Sequence, residues 1–127
     1  MKTILLIEDN EQNSYLIKFL LEKNNYSVTH AVDGQQALKI AESKVFDIVL
    51  LDIQLPSMDG YAVARKLREL KSLDMTAIIA VTSYAMVGDK EKAMEAGCNG
   101  YIEKPINPDT FLTEIEKVKM LFKKGQQ

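Results

Sequence analysis

Four polar groups follow short apolar runs closely: Glu8-Asp9 after Ile4 to Ile7, Asp52 after Ile48 to Leu51, Thr82-Ser83 after Ala77 to Val81, and Lys104-Pro105 just beyond Tyr101-Ile102. Three carboxylates brought together would repel one another and raise at least one pKa unless a cation sat among them. All-oxygen ligands suit Mg²⁺, which takes one or two carboxylates and keeps several waters for substrate oxygens. A carboxylate is also a nucleophile toward phosphorus, giving an aspartyl phosphate. It is already deprotonated, so it needs neutralisation of the phosphoryl oxygens rather than a base. A metal on one side, an ammonium on another and a hydroxyl on a third would supply that. On this chemistry Asp9 and Asp52 hold the metal, Lys104 brings the ammonium and Thr82 the hydroxyl. Any one acid after a strand is more simply a helix cap or a solvated loop residue. The convergence of all of them on one rim is what points to a site.

The elements that would position these groups alternate along the chain. Ile4 to Ile7 reads as a buried strand, continuously apolar as central parallel strands are. Asn10 is placed to cap a helix running to about Lys23, with Leu16, Ile17, Leu20 and Leu21 at helical spacing. Tyr26 to Val32 is a second strand closed by the turn signal Asp33-Gly34. Ala37, Leu38 and Ala41 mark a helix ending near Lys44, and Ile48 to Leu51 a third strand, with Pro56 and Asp59-Gly60 in the loop that follows. Val63, Leu67 and Leu70 line a third helix, and Ala77 to Val81 forms strand four. Lys90 to Glu95 is a short helix stopped by Gly97, followed by the brief strand Tyr101-Ile102. Asn107-Pro108-Asp109 opens the last helix with a cap residue, Pro at the first helical position and an acid in the first turn. Its buried stripe would be Phe111, Leu112, Ile115, Val118 and Phe122. Strands alternating with helices imply an α/β fold with a parallel sheet covered on both faces. Right-handed crossovers favour the five-stranded doubly wound order 2-1-3-4-5. Ligands in such sheets bind beyond the carboxyl ends of the strands, where the order reverses. The polar groups stand at those ends.

Composition excludes several other classes. The 127 residues correspond to about one domain, and 46% hydrophobic with 27% charged residues is ordinary for a globular chain. Eighteen acids against sixteen bases leave a formal charge of -2, no electrostatic footprint for nucleic acid. The basic tail of Lys117, Lys119, Lys123 and Lys124 is explained by the dipole of the final helix. The first apolar run ends at Glu8-Asp9 and is too short for a signal peptide or a membrane span. Cys98 has no internal partner, which fits a reducing cytosol and a packing role. His30 follows the alternation of its strand and has no neighbouring ligand spacing, so it is read as structural.

The ordered set Glu8-Asp9, Leu51-Asp52-Ile53-Gln54-Leu55-Pro56, Met58-Asp59-Gly60, Thr82, and Tyr101 three before Lys104-Pro105 resembles the receiver domains of bacterial response regulators, over about residues 2–122. The intervals of 30 residues from Asp52 to Thr82 and 22 from Thr82 to Lys104 are also similar to that family's. The resemblance implies a flavodoxin-like (βα)5 receiver fold. Asp52 would be the phosphoacceptor, charged by a phosphohistidine on a sensor histidine kinase or a histidine phosphotransfer protein. Mg²⁺ would be held by Asp9, Asp52 and the backbone carbonyl of Gln54, with Glu8 contacting it through water. Lys104 would pair with the phosphoryl oxygens across a cis peptide before Pro105. Thr82 and Tyr101 would act as the switch, remodelling the face made by helix four, strand five and helix five for a downstream protein target. Tyr101 could equally be a half-buried strand aromatic. Gln54 and Tyr84 lie two residues beyond Asp52 and Thr82, where the family varies and phosphoryl lifetime is tuned.

Met86-Val87-Gly88-Asp89 resembles the segment in stand-alone receivers of the DivK type and in hybrid kinases. Residues 1–124 are expected to be the receiver domain and 125–127 a tail, with no output domain. A cytoplasmic regulator follows, a monomer or a phosphorylation-dependent dimer binding neither nucleic acid nor membrane. It would promote its own phosphorylation and dephosphorylation without being a conventional turnover enzyme. The alternatives are a degenerate receiver serving only as an interaction module, an FMN-binding flavodoxin-like protein, and an Asp-nucleophile phosphatase. Glu8-Asp9 would repel the phosphate of FMN. Gln54 stands where such phosphatases commonly place a second acid.

Overall fold

A computed structural model describes residues 2–56, 58–83 and 86–125. The elements run β1 (Lys2–Ile7), α1 (Glu11–Lys23), β2 (Tyr26–Ala31), α2 (Gly34–Ser43), β3 (Ile48–Asp52), α3 (Gly60–Glu69), β4 (Ala77–Thr82), α4 (Asp89–Glu95), β5 (Gly100–Glu103) and α5 (Phe111–Gly125). All strands are parallel in the order β2-β1-β3-β4-β5.

Side chains alternate across a strand, and that period sorts the apolar residues into two layers. Leu5, Ile7, Val49, Leu51, Ile78 and Ala80 face α2, α3 and α4 through Ala37, Ala41, Val63, Leu67 and Ala93. Ile4, Leu6, Ile48, Leu50, Ile79 and Val81 face α1 and α5 through Ile17, Leu21, Phe111 and Ile115. The continuous apolar runs of β1, β3 and β4 are therefore a requirement of burial on both faces.

Local chemistry sets where the elements begin. Asn10 caps α1 through its side chain on the Asn13 N–H, and Asp33 caps α2 on the Gln36 N–H. Asp59 caps α3 on the Tyr61 N–H. Gly60 lies so close to the turn after β3 that a Cβ there would fall 2.5 Å from the Ile53 Cα. Gly97 ends α4 with φ at +107°, a conformation costly for any other residue.

Four expectations shift. Leu16 is 40% exposed, because Ile17, Leu21 and the small Ser14 already fill the space between α1 and the sheet. Val32 is exposed beyond the end of β2. Regular α5 starts at Phe111, after a turn in which the Asn107 carbonyl accepts from the N–H of Phe111 and its side chain from that of Asp109. The α5 stripe holds at Phe111 and Ile115, while Leu112, Val118 and Phe122 are only half-buried, and Lys119 is buried on the same helix.

Candidate functional site: an acidic cluster with one lysine

β1 and β3 are adjacent, so the carboxyl ends of both strands deliver their acids to one point. One oxygen from each of Glu8, Asp9 and Asp52 lies within 4.8 Å of the others. Glu8 is 1% and Asp52 4% exposed, while Asp9 opens to solvent. From the far edge of the sheet, Lys104 reaches in after β5. Its Nζ stands 3.0 Å from Glu8 Oε2 and 3.2 Å from Asp52 Oδ2. The Lys104–Pro105 peptide is cis, as the resemblance led us to expect.

The charges do not cancel. Two carboxylates about 4 Å apart repel by roughly 4 kcal/mol at an effective dielectric of 20, and one ammonium cannot offset three of them. Burial is the main reason the Glu8 carboxyl titrates above its ordinary value, with Asp52 adding to the rise and Lys104 opposing it. A hard divalent cation taking oxygens would relieve this. The donor set is all oxygen, and exposed Asp9 leaves one side for water, which fits an ion that keeps part of its hydration.

The remaining predicted residues frame the cluster. Thr82 is buried at the end of β4. Gln54 donates its backbone N–H to Asp52 Oδ1 at 2.9 Å, and its carboxamide reaches across to Thr82 Oγ1 and Ser83. Tyr101 is half-buried on β5, and its hydroxyl lies inside without a hydrogen-bond partner among the described residues. Burial is the principal reason that its pKa is raised. The Tyr84 position lies outside the described residues.

One residue of the site escaped the sequence reading. Asn13 donates from Nδ2 to Glu8 Oε1 at 3.2 Å. The signal was its place in the first turn of α1, four residues beyond the acidic pair. His30, read as structural, holds its Nε2 2.7 Å from the Glu8 carbonyl oxygen. A carbonyl only accepts, so this nitrogen carries the proton. No sequence spacing points to that contact, which arises because β2 pairs with β1.

The sheet order and the acid–lysine rim together define a receiver. The model of the response regulator receiver domain matches residues 4–116, and the chain belongs to that family of two-component signalling proteins. Among its relatives is the polar-differentiation response regulator DivK of Brucella ovis, 37% identical over 115 residues, which cover 91% of this chain and 94% of the relative. A CheY-like receiver domain protein from Methanospirillum hungatei superposes with a TM-score of 0.89 at 30% identity, covering 98% of both chains. The receiver domain of a sensor histidine kinase from Pseudomonas aeruginosa has a TM-score of 0.81 at 36% identity, covering 95% of this chain and 96% of that one. That domain carries a magnesium ion coordinated in its active-site cleft. Among the described residues of this chain, no helix is long and apolar enough to cross a membrane.

Proposed function

We propose that the chain is the phosphoacceptor of a two-component phosphorelay, with Asp52 as the residue phosphorylated. The observation that carries this reading is a nearly buried aspartate at a strand end, flanked by an ammonium at 3.2 Å and two further acids. In the transfer, an Asp52 oxygen forms a bond to phosphorus as the P–N bond of a phosphohistidine breaks. The electron pair returns to the imidazole nitrogen of the donor, a sensor histidine kinase or a histidine phosphotransfer protein.

Mg²⁺ bound by Asp9, Asp52 and the Gln54 carbonyl, with Glu8 behind, would neutralise phosphoryl oxygens as charge moves. Lys104 leaves Glu8 to pair with the new phosphoryl group, and Thr82 supplies a hydroxyl. Tyr101, already turned inward, would couple that change to the face of α4, β5 and α5. Met94 and Leu121 are exposed on that face, which suits a protein target whose affinity depends on phosphorylation. On this reading the protein works in the cytoplasm as a signalling switch rather than as a turnover enzyme.

The test is labelling by acetyl phosphate with Mg²⁺, followed by intact mass. The wild type should gain one phosphoryl group, and Asp52→Asn should gain none while keeping its circular dichroism spectrum. A folded Asp52→Asn variant that still takes up phosphate would place the acceptor elsewhere.

A further inference from the structure

The Gln54 side chain makes contacts that a phosphoacceptor site does not need at rest. Its Oε1 accepts from the Ser83 N–H at 3.3 Å and the Ser83 hydroxyl at 3.2 Å, and its Nε2 donates to Thr82 Oγ1. These bonds join the loop after β3 to the end of β4, 28 and 29 residues on in the chain. The same residue's backbone N–H is bonded to Asp52 Oδ1 at 2.9 Å. One glutamine therefore spans the gap from the acceptor carboxylate to the donors at the end of β4, and its own length bounds that gap.

A phosphoryl group on Asp52 would project oxygens into this neighbourhood. Lys104 and the Gln54 N–H can satisfy some of them, and the end of β4 offers further donors in the Ser83 N–H and the hydroxyls of Ser83 and Thr82. Two of these already point at a neutral oxygen that belongs to the protein. A phosphoryl oxygen is the stronger acceptor because it is charged. It must nevertheless displace the carboxamide first.

We infer that the Gln54 carboxamide is an internal competitor of the phosphoryl group, a latch that occupies the donors of the β4 end and favours the resting arrangement of Thr82 and Ser83. Gln54 is thus a positioning residue, acting through Thr82 and Ser83 and not on the transferred group itself. The inference rests on Asp52 being the phosphoacceptor. The latch biases a two-state element by its differential contacts, present in one state and broken in the other.

Beryllofluoride with Mg²⁺ is the probe, titrated into wild type, Gln54→Met and Gln54→Glu. Methionine keeps the length of the side chain without its hydrogen bonds, and it should bind beryllofluoride about tenfold more tightly than wild type, a difference of about 1.4 kcal/mol. Glutamate keeps an acceptor for Ser83 and adds charge, and it should bind more weakly than wild type. The second readout needs no variant. In the wild type the side-chain NH₂ resonances of Gln54 and the backbone amide of Ser83 should both move on saturation. Gln54 resonances that stay put on saturation, or a Met variant that binds equally or more weakly, would overturn the latch. Failure of the wild type to bind beryllofluoride at all would instead overturn the phosphoacceptor reading.

Discussion

Asp47 and Asp52 stand at the two ends of β3, one strand length apart, in opposite electrostatic surroundings. Asp47 is half-buried at the entry, where its Oδ2 accepts from the Thr3 N–H at 2.8 Å and the Thr3 hydroxyl at 3.3 Å. The backbone hydrogen bond from Thr3 is the chief reason its carboxyl titrates below its ordinary value, with Lys119 and Lys123 contributing. Arg68 completes that rim, donating to the carbonyls of Gly97, Leu73 and Thr76 and to Asn99 Oδ1 at 2.7–3.1 Å. At the exit, Asp52 shares one lysine with Glu8, and the Glu8 carboxyl is driven upward instead. Charges whose partners are all supplied by the fold hold the fold together. Charges left short of partners store a cost that a cation or a phosphoryl group can relieve, and such sites are where perturbed ionisation accompanies function.

The largest effect should come from taking a charge off the satisfied rim. Arg68→Met would strand several carbonyls that converge between α3, β4 and β5, and we expect a loss of roughly 2–3 kcal/mol in urea unfolding. The stabilisation by Mg²⁺ should be unchanged in that variant. If Arg68→Met also abolished it, the two rims would not be separable.

Next in size is the response of the acidic rim to the ion. Mg²⁺ at ten times its dissociation constant should stabilise the wild type by about 1.4 kcal/mol, and Asp9→Asn should lose most of that gain. Because the folded Glu8 pKa is raised, the metal-free protein holds this proton more tightly than the unfolded chain does. Its contribution is full below the unfolded pKa and is lost as pH rises through the folded value. The ion needs the carboxylate form, so the gain from Mg²⁺ should shrink on acidification, starting above the ordinary carboxylate range. A gain independent of pH down to the ordinary range would put Glu8 outside the ion's reach.

The asymmetry between the rims also decides what could be read in the sequence. Asp52 and Glu8-Asp9 were legible because each follows an apolar run and the strand order brings the run ends together. The same reasoning yielded all five strands and the cap at Asn10, while Asn107 opens a turn before α5 rather than the helix itself. Asp47 and Arg68 were not legible, since most of their partners are backbone groups, which have no residue type to read. Leu16 and Ile17 are both apolar, and spacing alone did not decide which faces the sheet. Buried Lys119 was hidden for a related reason: its long apolar stem packs like an aliphatic residue while its type suggests solvent. The Gln54 bridge joins residues whose proximity depends on the β3–β4 register, which no local pattern encodes.

A smaller effect belongs to the acid at the entry of β3. Asp47→Asn should cost about 1 kcal/mol at neutral pH, because a neutral amide accepts less strongly from Thr3. The folded pKa of Asp47 is depressed, so its contribution is present above the unfolded pKa and is lost as pH falls through the folded value. The wild type and variant should therefore converge in stability below the ordinary carboxylate range. A gap that persisted there would mean that the amide is disturbing packing and that charge is not the cause.

The smallest effect should carry the opposite sign. Metal-free Asp52→Asn removes one of three crowded carboxylates, yet Asn can still accept the Gln54 N–H through its side-chain oxygen. Lys104 would then serve Glu8 alone, and Glu8 should titrate closer to its ordinary value. The repulsion removed exceeds the attraction lost, so stability should rise, by no more than about 1 kcal/mol since Lys104 loses one partner. Urea melts of Asp47→Asn and Asp52→Asn in the same metal-free buffer should move in opposite directions from wild type. If both variants lost stability, the exit of β3 would be as well satisfied as its entry, and the acid cluster would need no cation to explain it.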